Sequence, residues 1–235
     1  NSGIRYVQPS TGLISLNSIN LTISASRGIS IGGAESESDY DLRLDVENVN
    51  YTFNGTIEDE TRPIQLWSAR GSVAANLTQT QINVGAAKPK ILLHATNNCD
   101  LTIQNTTATG SCKISVGNSA AKQINVNIIK SNLEVSDIML QASESGTANL
   151  VIDNSSVQGN QLYIYSKSSS TQTLKICNNT NIKMVDDGGW QGIYIGGYPH
   201  CKNYLIIEDS YVFCESKNAT GTTLRDGIAV GDNDG

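Results

Sequence analysis

The chain has 235 residues, of which only 16% are charged, with a formal charge of -6 and a pI near 4.9. That length is ample for a buried core, and the acidic balance excludes the basic stripe with which nucleic-acid binders displace counterions. No apolar run approaches the ~20 residues of a membrane-spanning helix, and no signal peptide is readable after Asn1, so any targeting segment lies outside this sequence.

Taken in order, the chain reads as a repeat. Residues 1–20, with Ile14-Ser-Leu16, are expected to form an N-terminal cap or partial coil. From there to residue 235 an apolar residue, another two later, a polar residue at +4 and further apolar residues recur. The origins are Leu21, Leu44, Ala75, Leu101, Val126, Leu150, Leu174 and Leu205, in steps of 23 to 31 residues. Short alternating runs follow each origin. First runs include Leu101-Thr-Ile103, Leu150-Val-Ile152, Leu174-Lys-Ile176 and Leu205-Ile-Ile207. Second runs include Tyr51-Thr-Phe53, Ile82-Asn-Val84, Leu133-Glu-Val135 and Val212-Phe-Cys214. Third runs begin at Ile64, Ile91, Ile114, Ile138, Leu162, Ile193 and Ile228. Alternation of period two places one side chain inside and the next outside, and no run is long enough for an amphipathic helix. The expected fold is all-β: a right-handed parallel β-helix, or solenoid, of about eight coils with three strands per coil.

The +4 residues are Asn48, Gln79, Asn105, Lys130, Asn154, Asn178 and Asp209, with Ala25 the exception. At +5 stand Ser26, Thr80, Thr106, Ser131, Ser155, Asn179 and Ser210. Equivalent turn residues in a stacked solenoid lie ~4.8 Å apart, so the +4 amides are expected to hydrogen-bond up and down the stack. Asn also tolerates the left-handed geometry of a tight bend. On these residues the chain resembles the pectate-lyase-like right-handed β-helix superfamily, whose coils commonly carry an asparagine ladder at such a turn. A second recurrence, Arg27–Gly33, Gln191–Gly197 and Asp226–Asp232, is similar to the Gly-Ile-x-Ile-Gly-Gly coils of repetitive surface proteins from Gram-positive bacteria. Eight Asn-x-Ser/Thr sequons occur, at Asn20, Asn50, Asn54, Asn76, Asn105, Asn154, Asn178 and Asn218. Three of them fall in the expected ladder, where a glycan would break the stacking, so the sequons read as composition and the source as bacterial. The final coil is followed only by Gly231-Asp-Asn-Asp-Gly235, with no polar cap readable, and the solenoid is expected to continue or be capped beyond it.

The superfamily resemblance implies that an enzyme must be weighed. Its lyases use calcium-binding carboxylates with an Arg or Lys base, and its polygalacturonase-type hydrolases carry Asn-Thr-Asp, Gly-His-Gly and Arg-x-Lys. Asp186-Asp187 is present here, but those three motifs are not, and the following Gly188-Gly189 marks a solvated turn. Asp186, Asp187 and Asp226 are the candidate catalytic carboxylates. Asp232 and Asp234 resemble the start of a calcium loop but no closing Glu follows, and a solvated turn is the preferred reading of them. The five cysteines show no zinc spacing; Cys99 and Cys112 either bridge or stay free. Of the two histidines, His94 is expected on the outer surface beside Leu93.

Outward positions of the third runs carry Trp67, Tyr163, Tyr165 and Tyr194, with Trp190 on a flanking loop. Exposed rings on one sheet face are what sugar rings stack on; loops folding over them, or ring stacking for stability alone, are the alternatives. The expected function is a non-catalytic extracellular or cell-surface domain that binds a polysaccharide or cell-surface glycan, or serves in adhesion. A polysaccharide lyase or glycoside hydrolase acting on plant or host glycans is the alternative. Calcium is the one cofactor the sequence hints at.

Overall fold

The computed structural model describes residues 2–6, 11–32, 40–55, 61–85, 89–167, 169–186, 191–197, 200–216 and 227–232. Among these there is no helix, and strands stack in parallel as a β-solenoid of about seven turns. The first column is an eight-stranded sheet of β2 (Gly12–Asn17), β5 (Leu42–Glu47), β8 (Val73–Thr78), β11 (Asn98–Gln104), β13 (Gln123–Ile129), β15 (Thr147–Asp153), β18 (Thr171–Cys177) and β21 (Lys202–Ile207). The second column holds β3 (Asn20–Ile23), β6 (Asn50–Phe53), β9 (Gln81–Val84), β16 (Ser156–Gly159), β19 (Asn181–Asp186) and β22 (Tyr211–Ser216). The third holds β1 (Ser2–Tyr6), β4 (Arg27–Gly32), β7 (Arg62–Trp67), β10 (Lys90–His94), β17 (Gln161–Ser166), β20 (Ile193–Gly197) and β23 (Ile228–Asp232). Two long strands, β12 (Thr107–Gly117) and β14 (Asn132–Ala142), serve both of the latter columns and join them into one sheet, with register shifts where they bend.

Alternation fixes which residues are inside. Ile103, Ile128, Ile152 and Ile176 pair in register as one column, buried except where Ile207 ends it at 42% exposure. Each fully buried isoleucine contributes roughly 1.5–3 kcal/mol of transfer free energy. Toward the N-terminus the column continues through Leu77, Val46 and Leu16. This corrects the first origin. The residue in register with Leu44 is Ile14, while Leu21 pairs with Tyr51 in the second column. Residues 2–6 and 12–17 are already strands of the stack, and the +4 residue of that coil is Ser18 rather than Ala25.

The bend between first and second strands also differs from the expected ladder. Every +4 residue from Ser18 to Asp209, including Asn48, Asn105 and Asn154, has a positive φ of 45° to 57°. Asn is selected there because its short polar side chain tolerates this region. Its backbone N–H bonds the next coil, as Asn105 N does to Ile129 O at 3.0 Å and Asn154 N to Cys177 O at 3.1 Å; the amides of Asn48 and Asn178 also reach the preceding coil, donating to Ser18 Oγ at 3.1 Å and Asp153 Oδ1 at 2.8 Å. The side chains of Asn105, Asn154 and Asn178 point to solvent. A glycan on Asn105 or Asn154 would not interrupt the stack, so for those two the geometry withdraws that argument for reading the sequons as mere composition, whereas the Asn178 amide is bonded to Asp153 of the preceding coil.

The stacking hydroxyls come one residue later and face inward. Thr80, Thr106, Ser131, Ser155 and Thr180 are buried. Thr106, Ser131, Ser155 and Thr180 each accept the N–H of the counterpart one coil back: Thr80 N to Thr106 Oγ1 is 3.4 Å, Thr106 N to Ser131 Oγ and Ser131 N to Ser155 Oγ are both 3.1 Å, and Ser155 N to Thr180 Oγ1 is 3.2 Å. Each hydroxyl donates to a carbonyl of its own bend, as Ser155 Oγ does to Asp153 O at 2.7 Å. In the coil of β18 the bend has one extra residue. Asn178 and Asn179 both take positive φ, and Thr180 supplies the hydroxyl expected at Asn179. Stacked amides do occur, on the outer face of the first column, where Asn125 Nδ2 donates to Asp100 Oδ1 (2.8 Å) and Asn149 Nδ2 to Asn125 Oδ1 (3.1 Å).

Candidate functional site

The third-column exterior brings the expected aromatic residues together but turns them toward one another. Tyr163 and Tyr194 are register partners on β17 and β20, their rings stacked at 4.9 Å between centroids and 17° between planes. Tyr165 lies 5.8 Å along from Tyr163. Trp67 stacks on His94 of the next coil at 4.1 Å and 23°. Stacked rings one strand spacing apart present edges, not faces, outward, and a ring face occupied by a neighbour cannot take a sugar. Tyr194, expected to be solvent-exposed, is only 4% exposed, and burial pushes the Tyr163 hydroxyl above its ordinary pKa. His94 is a partly buried ring held in a stack, not an ordinary surface residue. Burial, with the nearby Arg62 charge, lowers its pKa. Neighbouring outward positions Ser30, Gln65, Leu92 and Ser115 are buried too.

The expected carboxylates are not assembled into a site by the described residues. Asp186 is the last residue of β19, in register with Ser216 on the second column rather than on a loop beside the third. Asp232 ends β23 opposite Gly197. Asp187, Trp190, Asp226 and Asp234 lie outside the described residues. Among the described residues no group of three or more His, Cys, Asp and Glu is placed to hold a metal ion. Cys99 and Cys112 are free and buried, and burial pushes both thiols up to about 12.

The second-column exterior is the open one. Its outward side chains make two rows along the axis. One runs Asn20, Asn50, Gln81, Thr107, Asn132, Ser156, Asn181 and Tyr211; the other includes Thr22, Thr52, Asn83, Thr109, Glu134, Gln158, Lys183 and Phe213. Only Glu134 and Lys183 carry charge. Tyr211 is 64% and Phe213 38% exposed. Some neighbours bond across coils, Thr109 Oγ1 to Asn83 Oδ1 at 3.1 Å among them.

Grooves lined by described residues border this face. One of about 310 Å3 lies at the bend between Ser18, Asn48 and Gln79 and their second strands. Two more, of about 360 and 490 Å3, share Gln158, Lys183 and Phe213 and form one trough near β16, β19 and β22. Sequence reasoning missed this trough because Ser156-Val-Gln158 holds a single apolar residue, too little alternation to declare a strand, and because Ile182-Lys-Met184, which does alternate, is not among the second runs recognised above. The signal available was the register itself, since Glu134 and Phe213 are the middle residues of recognised second runs.

No protein-family model, curated protein or solved structure matches this chain. The fold defines it as a parallel β-solenoid.

Proposed function

We propose that this chain is a non-catalytic extracellular or cell-surface solenoid that binds carbohydrate, as a glycan-binding or adhesion module. The observation that carries the reading is the second-column exterior: a long, nearly uncharged face of amides and hydroxyls with two exposed rings at one end. Amides and hydroxyls both donate and accept, matching the paired hydroxyls of a sugar. Uncharged groups are also cheaper to desolvate than ions. The left-handed asparagine bends and the Gly-Ile-x-Ile-Gly-Gly strands support kinship with pectate-lyase-like β-helices and with bacterial surface repeats.

A glycan array joined to a reducing-sugar release assay on the same polysaccharides tests the proposal, run with calcium and with chelator. Retention of a glycan without release of sugar is the expected result. Cleavage would replace this reading with the lyase or hydrolase one, and absence of any binding would leave an adhesion stalk.

A further inference from the structure

The trough on the second column has the features of a built saccharide seat. Outward residues of four successive coils, Glu134, Gln158, Lys183 and Phe213, stand in register, stepping ~4.8 Å each along the solenoid axis. The chain leaves the sheet early at Gly159, where a Cβ would lie 2.5 Å from Val135 O and 3.0 Å from its side chain. β19 and β22 instead continue two residues farther, pairing Val185 with Glu215 and Asp186 with Ser216. That step in the sheet edge raises Val185 and Glu215 as one wall of the trough. Phe213 projects from the last of the four strands with its side chain exposed, and among the described residues no other ring stacks on it.

We propose that this trough seats a neutral polysaccharide chain lying parallel to the solenoid axis, an inference that rests on the carbohydrate-binding reading. Each lining group has a role that a neutral, hydroxyl-rich ligand fulfils. The Phe213 ring is a platform for the apolar face of one sugar ring. Gln158 donates to and accepts from hydroxyls on the next ring. The Glu134 carboxylate accepts from a hydroxyl pair, and Lys183 donates to ring or linkage oxygens. One Glu134 carboxylate against one Lys183 ammonium leaves this row with no net positive charge to attract a uronate or sulfated chain.

The test uses the whole chain and calorimetric titration with xyloglucan, glucomannan, arabinoxylan and polygalacturonate. Phe213→Ala and Gln158→Ala change exposed outward side chains, so both variants keep the native melting temperature. Each is expected to weaken binding of a neutral polysaccharide about tenfold or more, the loss of one good contact, whereas Tyr163→Ala on the other face leaves affinity unchanged. Unaltered affinity in the Phe213→Ala, Gln158→Ala double variant overturns the assignment of the site but leaves the carbohydrate reading standing. Binding to polygalacturonate alone overturns the assignment to neutral chains. Binding to none of the four, nor to any glycan on the array, overturns the carbohydrate reading and this inference together.

Discussion

Replacing Ser155 with alanine separates two accounts of what holds the coils in register. The Ser155 hydroxyl is buried and accepts the Ser131 N–H at 3.1 Å, while donating to Asp153 O at 2.7 Å, with Ile128 O 3.3 Å away. Asp153 O keeps a second donor, the Lys130 N–H at 3.0 Å, so the main loss is the orphaned Ser131 N–H. A buried donor left unsatisfied costs ~1–3 kcal/mol. In a chain of this size that is a fall in melting temperature of roughly 2–12 °C. Asn154, one residue earlier, gives the contrast. Its side chain is exposed and its φ is 45°, so its contribution is conformational. Asn154→Ala places an ordinary side chain in the left-handed region at a cost of ~1–2 kcal/mol, and Asn154→Gly removes that strain. Urea and thermal melts followed by circular dichroism should rank Ser155→Ala and Asn154→Ala as destabilised and Asn154→Gly near native. If Asn154→Gly loses as much as Asn154→Ala, an amide ladder stabilises the stack and the hydroxyl account is wrong.

Three further outcomes follow from named contacts. Gly28→Ala puts a Cβ onto the Tyr51 hydroxyl and the Pro63 carbonyl, which hydrogen-bond at 2.8 Å, so a thermal melt should show a loss of ~2–4 kcal/mol from overpacking and the broken bond, and a native melt would refute the close approach. Cys99 and Cys112, pushed up to about 12, should resist iodoacetamide at pH 8 in the folded chain and react only in urea, read by mass spectrometry of peptides. Burial holds the folded pKa of His94 below its ordinary 6.5, so the unfolded chain takes the proton first. The stability tied to neutral His94 is complete above pH 6.5 and is lost as pH falls through the folded value; melts from pH 7.5 to 5 should show that decline, flattened in His94→Phe.

The repeat was legible because a solenoid reuses one instruction. Alternating Leu, Ile and Val at Leu101, Ile103, Ile152 and Ile176 could be aligned by eye, and the observed registers match. What failed was local. Leu21-Thr-Ile23 has the same pattern as a first run, and only register with Tyr51 and Phe53 shows it to be a second. The bend asparagines marked the right corner for a partly wrong reason. A sequence records that Asn prefers the bend but not which of two adjacent polar residues turns inward, and here the left-handed residue sends its neighbour to the core. Tyr163 and Tyr194 were placed on one face correctly, but period-two alternation says nothing about ring orientation. Trp190, Asp187, Asp226 and Asp234 fall outside the described residues.

The three columns divide the work by the chemistry of their outer positions. On the third, ring partners at 4.9 and 4.1 Å bind successive coils to one another, and a ligand entering there would have to separate them. On the first, amides are bonded from coil to coil, as between Asn149, Asn125 and Asp100, so part of their hydrogen-bonding capacity is already used. On the second, Thr109 and Asn83 also bond from coil to coil, but Gln158, Lys183 and Phe213 lie open along the trough. Recognition needs groups whose partners are water, because only those can exchange water for a ligand without first breaking the protein's own contacts. By that criterion the aromatic face conspicuous in the sequence is a stacked seam between coils, and the proposed site falls on the plainer face of Gln158, Lys183 and Phe213.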